Sequence, residues 1–330
     1  MLKKIKQYFK QTVITHARGF CCITFLPQEV ALAYVMPVSG IPQLQFCDSF
    51  TFSKPSAIKP ALAELVKKYH LEGVACSWML QSHHYQLLLT ESLPVTQAEF
   101  QSAIRWKIKD SVPFPIEEAV IDSFPIPSQK SVGAENKIIV IVARESYLSS
   151  FARTLQECQL RLTTVDIPEM ALRNITALYE QDEKTTALIY LQEHQNELII
   201  SKQKQLYFPR RLEVEYEHFD PSIATDKEIN TYISRLSLEI QRSFDYFQTQ
   251  WRNPSPSRIF LATTKFSAEK IAEYLSQNLS LPVKPLNLDD VLSSKQKLTL
   301  AEQGKYLTVI GGALRESAFS DATELHETGN

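Results

Sequence analysis

A Pro-Phe-Pro break between two regular segments limits what this chain can become. In WKIKDSVPFPIEEAVIDSF, residues 106–124, a helical run with Trp106, Lys107, Lys109 and Asp110 meets Val112-Pro113-Phe114-Pro115 and restarts as alternating polar and apolar residues up to Phe124. Proline lacks a backbone donor and pushes the residue before it out of the α region, so Pro113 ends the helix and Pro115 keeps Phe114 extended. Upstream, Thr96 and Glu99 have capping-box spacing and start the same helix. Downstream, the strand resumes at Ile116, KIIVIVA (137–143) reads as another strand and 145–158 as another helix. The pattern predicts a helix-strand-strand-helix module over 96–158, entered sharply and with Phe114 buried in its core.

The module interrupts a larger pattern. FCCITFL (20–26) and VALAYVM (30–36) read as a hairpin about Pro27-Gln28-Glu29, and a third strand spans 44–52. Ile58, Leu62, Leu65, Val66 and Tyr69 share one helical face, and VACSWML and YQLLLTE follow as strands of the same sheet. After the module, LRLTTVD leads into a helix with Pro168 in its first turn. TALIYLQEHQNELIISKQKQLYFPR then repeats the opening meander, which points to an internal duplication of pattern. Residues 226–251 form the longest helix, striped by Ile229, Ile233, Leu236, Ile240, Phe244 and Phe247. Strand RIFLA, a helix over 266–278, strand PVKPL and a helix from about Gly304 to Glu316 complete the sequence.

Composition removes several classes of function. With 330 residues the length prior favours two domains, and 44% hydrophobic with 22% charged residues is ordinary for a folded chain. A net charge of -2 offers no general attraction to nucleic acid. No run approaches the roughly 20 apolar residues of a transmembrane helix, and MLKKIKQYFK lacks a signal-peptide core, so a cytoplasmic location is expected. Cys21, Cys22, Cys47, Cys76 and Cys158 form no CxxC pair and read as buried thiols. Only eight glycines occur, none in a GxGxxG, GxxxxGK or DxG pattern. Phosphate-wrapping loops need glycine for close backbone approach or positive φ, so such loops are nearly absent.

The stretch AIRWKIKDSVPFPIEEAVIDSF resembles the helix–PFP–strand signature of the PilM family of type IV pilus assembly proteins. VDIPEMALRN, EIQRSFDYF and YLTVIGGALRE follow in the order of that family, and length and divergence sit nearest its MshI branch, which serves mannose-sensitive agglutinin (MSHA) pili. The resemblance implies an α/β, actin-like (FtsA/PilM-type) two-domain fold. Its first domain would cover 1–182 with the inserted subdomain at about 92–160, its second 183–316, with a disordered tail at 317–330. Trp106, Pro113, Phe114 and Pro115 would be structural signature residues. The implied function is a non-catalytic scaffold, peripheral to the inner membrane, that binds the cytoplasmic N-terminus of a PilN-like bitopic protein in a groove between the first subdomain and the insertion. A pilus ATPase is a further implied partner.

Family members that bind ATP carry Asp-x-Gly at the first turn of each half and Gly-Gly after a late strand. Here the first turn reads Ile23-Thr24-Phe25-Leu26-Pro27-Gln28, the second Ile189-Tyr190-Leu191-Gln192-Glu193, and the late pair is Thr263-Thr264. Without acids for Mg²⁺ or glycines for phosphate, phosphoryl chemistry lacks its parts, and no cofactor, metal or catalytic residue is expected. The runners-up are an ATPase with degenerate loops that still holds Mg-ATP, and a GspL-like platform for a secretion ATPase.

Other candidate groups have plain readings. Glu239 and Arg242 read as a surface ion pair, His83-His84 as turn residues, and Lys202, Lys204, Arg210 and Arg211 as a solvated hairpin face or a greeting for an anionic partner. Gly311-Gly312 reads as a close-packing device in the last helix. Residues 1–28 carry Lys3, Lys4, Lys6, Lys10 and Arg18 before any acid, with Leu2, Ile5, Phe9 and Val13 at helical spacing. Lys3, Lys4, Lys6, Phe9 and Lys10 therefore suit an anionic membrane surface, or a frayed helix end.

Overall fold

A computed structural model describes residues 19–127, 137–180, 183–192, 196–214, 225–251, 254–264 and 267–315. The basic N-terminal stretch with Lys3, Lys4, Lys6, Phe9 and Lys10, and the tail 317–330, lie outside the described residues. In chain order the elements are β1 (Phe20–Leu26), β2 (Glu29–Val38), β3 (Ile41–Thr51), α1 (Ile58–Tyr69), β4 (Ala75–Met79), β5 (Tyr85–Glu91), α2 (Gln97–Ile108), β6 (Ala119–Pro125), β7 (Lys137–Arg144) and α3 (Glu145–Glu157). Then come β8 (Arg161–Asp166), α4 (Pro168–Tyr179), β9 (Thr186–Leu191), β10 (Asn196–Lys202), β11 (Gln205–Leu212), α5 (Asp226–Trp251), β12 (Arg258–Thr263), α6 (Ala268–Leu279), β13 (Val283–Pro285), β14 (Ser293–Ser294) and α7 (Leu300–Ala313).

The expected duplication is present in the topology. One sheet runs β14-β3-β2-β1-β4-β8 and another β11-β10-β9-β12-β13. In both, an antiparallel meander adds two parallel strands beside its first member, β4 and β8 in one half, β12 and β13 in the other. Strand alternation sorts side chains into layers. Cys21, Ile23 and Phe25 face α1 and α3, whereas Cys22, Ala31 and Ala33 face a central layer of α4 and α7 shared with Leu188, Tyr190 and Ile199 of the second sheet. The far face of that sheet carries α5, whose predicted stripe from Ile229 to Phe247 is buried, and α6.

The helix-strand-strand-helix order of the insertion appears as α2, β6, β7 and α3, but the pieces divide differently from expectation. β5, read as part of the first sheet, joins β7 and β6 in a separate three-stranded sheet, so the insertion begins at Tyr85. Periodicity shows that a strand exists but not which neighbour it pairs with. α3 leaves the insertion and packs Leu148, Ala152 and Leu155 on the first sheet. α2 covers one face of the small sheet through Ile104 and Ile108. From the other face, Val120, Ile141 and Ala143 enter the core of the first half, and Ile126 and Ile139 that of the second. The insertion is therefore seated against both halves.

The last helix starts at Leu300, four residues before the expected Gly304, because Thr299 and Glu302 form a capping box. Its glycines are contact points. A Cβ on Gly304 would stand 1.9 Å from the Thr263 carbonyl oxygen, and one on Gly311 2.2 Å from that of Ala171. On Gly312 it would meet Cys22 Sγ at 2.4 Å. α7 is thus pressed onto β12, α4 and β1 at once, which bears out the close-packing reading.

Candidate functional site

Where the insertion meets both halves, a cavity of about 400 Å³ opens. Tyr85, Gln86, Leu87 and Leu88 of β5 form one wall, and Pro209, Arg210 and Arg211 of β11 the other, with Ser111 and Glu169 completing it. β5 and β11 are the outermost strands of their sheets, so among the described residues each cavity wall is a strand edge without a β partner. Pro209 opposes Ile199 of β10, and a proline is tolerated in such a strand because it lies at an edge.

Charge converges on this cavity. Glu169, in the first turn of α4, is 3% exposed and accepts a 2.6 Å hydrogen bond from the Tyr85 hydroxyl. Burial pushes its carboxyl above the usual carboxylate range, against the pull of Tyr85 and the Arg211 guanidinium. Burial also pushes the Tyr85 phenol well above its ordinary value. Arg211 donates to the Ser82 carbonyl at 2.8 Å, and Arg210 pairs with Glu239 at 3.1 Å. Gln86 Oε1 is buried with no donor among the described residues, an open acceptor on the β5 wall. Such a site suits an extended polar backbone with a few apolar side chains.

The PFP segment follows Ser111 of the cavity lining. Val112 is extended at φ -107°, as Pro113 requires, but the chain then makes a short helical turn at Ile116–Glu118, and the strand starts at Ala119 instead of Ile116. Arg105, which sequence reading passed over, donates to the carbonyls of Ile116 at 2.8 Å and Ala119 at 2.9 Å and so clamps the turn to α2. Phe114 corrects the expectation of a buried anchor: it is half-buried at the rim of the small core, with the Arg144 guanidinium 4.7 Å from its ring centre. Phe114→Ala is accordingly expected to cost about 1.5 kcal/mol in urea unfolding, half of what full burial would give. Pro113 and Pro115 are exposed. Trp106 is 72% exposed, with Lys109 Nζ 3.5 Å above its ring.

The residues at the three turns compared with the ATP-binding pattern make contacts within the fold. Gln81 donates to Thr24 Oγ1 at 2.6 Å and Thr24 to the Met79 carbonyl at 3.1 Å. Just past the first turn, Lys305 of α7 pairs with Glu29 at 2.6 Å. Tyr190 is buried, and its hydroxyl donates to the Gly304 carbonyl at 2.8 Å. The Thr263 carbonyl lies beneath Gly304, and the Thr264 amide donates to Leu191. Glu193 is outside the described residues.

Elsewhere, Glu239 and Arg242 pair as read, 3.1 Å apart. His83 and His84 close a turn before β5, where His84 stacks on Tyr147 and burial, with the charge of His83, holds its imidazole down to about 4. The five cysteines are buried and free, with burial raising the thiols and Cys76 reaching about 12. Sequence reading also missed the pair of Asp166, at the end of β8, with Arg315 beyond α7 at 2.6 Å. Both belong to stretches singled out above, VDIPEMALRN and YLTVIGGALRE, but nothing in a linear pattern says that they touch.

No family model and no curated protein matches the sequence. Among solved structures, the PilM-PilN type IV pilus biogenesis complex superposes with a TM-score of 0.68 at 20% identity, over 89% of this chain and 97% of that one. The cytoplasmic domain of EpsL, an inner membrane component of the type II secretion system of Vibrio cholerae, gives 0.46 at 11% identity, over 88% and 95%. A Bacteroides thetaiotaomicron protein of actin-like ATPase fold gives 0.44 at 10%, over 91% and 99%. The chain has the actin-like α/β fold. Within that class its form is PilM-like.

Proposed function

We propose that this chain is a non-catalytic scaffold of type IV pilus assembly, of the MshI type in an MSHA-like system. It works at the cytoplasmic face of the inner membrane and holds the cytoplasmic N-terminus of a PilN-like bitopic protein. The observation that carries this reading is the cavity between the open edges of β5 and β11. An extended segment entering there can pair along a strand edge and place a donor on Gln86 Oε1. No helix among the described residues is long and apolar enough to cross a membrane, so residence at the membrane comes from the partner and from the basic N-terminal stretch. Trp106, on the outer side of the insertion, leaves a surface for a second partner such as a pilus ATPase.

The non-catalytic part is supported by Tyr190, whose buried phenol fills the position at which ATP-binding relatives carry aspartate, and by the Lys305–Glu29 pair beside the first turn. Calorimetric titration of the full chain with a peptide of the partner's cytoplasmic N-terminus tests the whole reading. Micromolar binding is expected, weakened about tenfold or more by Arg211→Asp. In the same protein, 1 mM Mg-ATP is expected to stabilise by no more than about 0.4 kcal/mol, the value for a Kd of 1 mM. Failure of the peptide to bind overturns the scaffold reading, and micromolar ATP affinity favours the ATPase alternative.

A further inference from the structure

The cavity between β5 and β11 holds a carboxyl group whose charge no neighbour answers. Glu169 is 3% exposed and lines the cavity, and the side chain that bonds it is the neutral Tyr85 hydroxyl at 2.6 Å. Buried carboxylates are ordinarily matched by a cation, as Asp166 is by Arg315 at 2.6 Å. Among the described residues no cation stands within ion-pair distance of Glu169. Arg210 is engaged by Glu239 at 3.1 Å, while Arg211 donates to the Ser82 carbonyl at 2.8 Å and acts on Glu169 only from further away. Glu197, across from Arg211 on β10 and 1% exposed, adds a second negative group near Tyr85. Burial pushes the Glu169 carboxyl up, with Asp166 adding to the rise, and a perturbed acid in a cavity marks a place that binds.

The depth of this carboxyl group limits what can reach it. It lies a whole tyrosine side chain away from the β5 backbone, since the Tyr85 hydroxyl touches it. A segment that adds to the free edge of β5 places the residue opposite Tyr85 on the same face, pointing the same way. There an α-amino group stays at backbone depth, whereas an extended lysine or arginine side chain is as long as a tyrosine's and ends at the carboxyl group. We infer that the partner segment carries a lysine or arginine opposite Tyr85, and that Glu169 is its counter-charge and the residue by which the cavity selects that segment. The inference rests on the scaffold reading and names what its site selects. The entering cation draws the proton of Glu169 off to solvent and leaves a desolvated ion pair, with Tyr85 still donating to the carboxylate. Arg211 stays outside this pair: its bond to Ser82 fixes the turn from which β5 starts, so its loss loosens the cavity wall.

The experiment is calorimetry of the full chain with the partner's N-terminal cytoplasmic peptide, each lysine or arginine of the peptide being replaced in turn by norleucine. The same peptides, and an N-acetylated one, are titrated into Glu169→Gln, which keeps the shape of the side chain. One norleucine replacement is expected to weaken binding to the wild type about tenfold or more, and Glu169→Gln to weaken the natural peptide equally. The two together are expected to cost no more than either alone. Glu169→Asp, which holds the charge one methylene further back, is expected to show a smaller loss, and it replaces Glu169→Gln if that variant lowers the melting midpoint. Equal binding of the natural peptide to wild type and Glu169→Gln, a binding peptide without lysine or arginine, or losses that simply add would overturn the inference and leave the scaffold reading standing. A loss on N-acetylation that vanishes in Glu169→Gln would make the terminal amine the occupant and overturn it as well. No binding to the wild type sinks both readings together.

Discussion

Gly304→Ala is expected to lower stability by about 3 kcal/mol, read as a fall in the urea midpoint at constant slope. Alanine is the better helix former by up to about 1 kcal/mol, so propensity alone would stabilise α7. Packing opposes it and wins, because the new methyl would lie 1.9 Å from a backbone oxygen of β12, which cannot rotate away as a side chain can. To relieve the clash α7 must lift, and lifting breaks the Tyr190 hydrogen bond to the Gly304 carbonyl. Gly312→Ala provides the contrast. Its clash is with Cys22 Sγ and the flexible end of Met79, so the expected loss is smaller. Equal midpoints for wild type and Gly304→Ala would show that α7 is free to slide and that its glycines are incidental.

Arg315→Ala is expected to cost a similar amount, about 3 kcal/mol, for an electrostatic reason. Asp166 is 4% exposed, and one carboxylate oxygen accepts from the Ile167 amide at 3.0 Å while the other accepts from Arg315 at 2.6 Å. Removing the guanidinium leaves a buried charge with a single partner, which is worse than removing both ends. Asp166→Asn placed in the Arg315→Ala background should therefore recover part of the loss. If the double variant is less stable than Arg315→Ala, the pair is not what holds the end of α7 near β8.

How much of this was legible depended on the range of the interaction. The hairpin of β1 and β2, the duplicated meander, the α5 stripe and the Thr96 cap are local, and their residues state them through spacing alone. Phe114 is half-buried instead of buried because a hydrophobic side chain next to a helix end has no built-in direction, and only packing decides how far it faces inward. The cavity was out of reach in its particulars. Tyr85, Glu169 and Arg211 come from three separated segments, and β5 had to change sheets before its edge could face β11. A weak sign of Glu169 was available, since an acid after Pro168 in a first helical turn is favoured by the helix dipole, but that sign does not predict its burial.

The two open strand edges also bear on how many copies of this chain a cell can keep idle. β11 is guarded, for Pro209 removes a donor and Arg210 and Arg211 add charge, both of which discourage a stray strand. β5, reading Tyr-Gln-Leu-Leu-Leu-Thr-Glu, has no charge before Glu91 and shows Leu89 46% exposed. An unoccupied β5 can pair with any extended segment, including the β5 of a second copy. On that ground β5, and not β11, is the edge at which an excess of the chain would pair with itself.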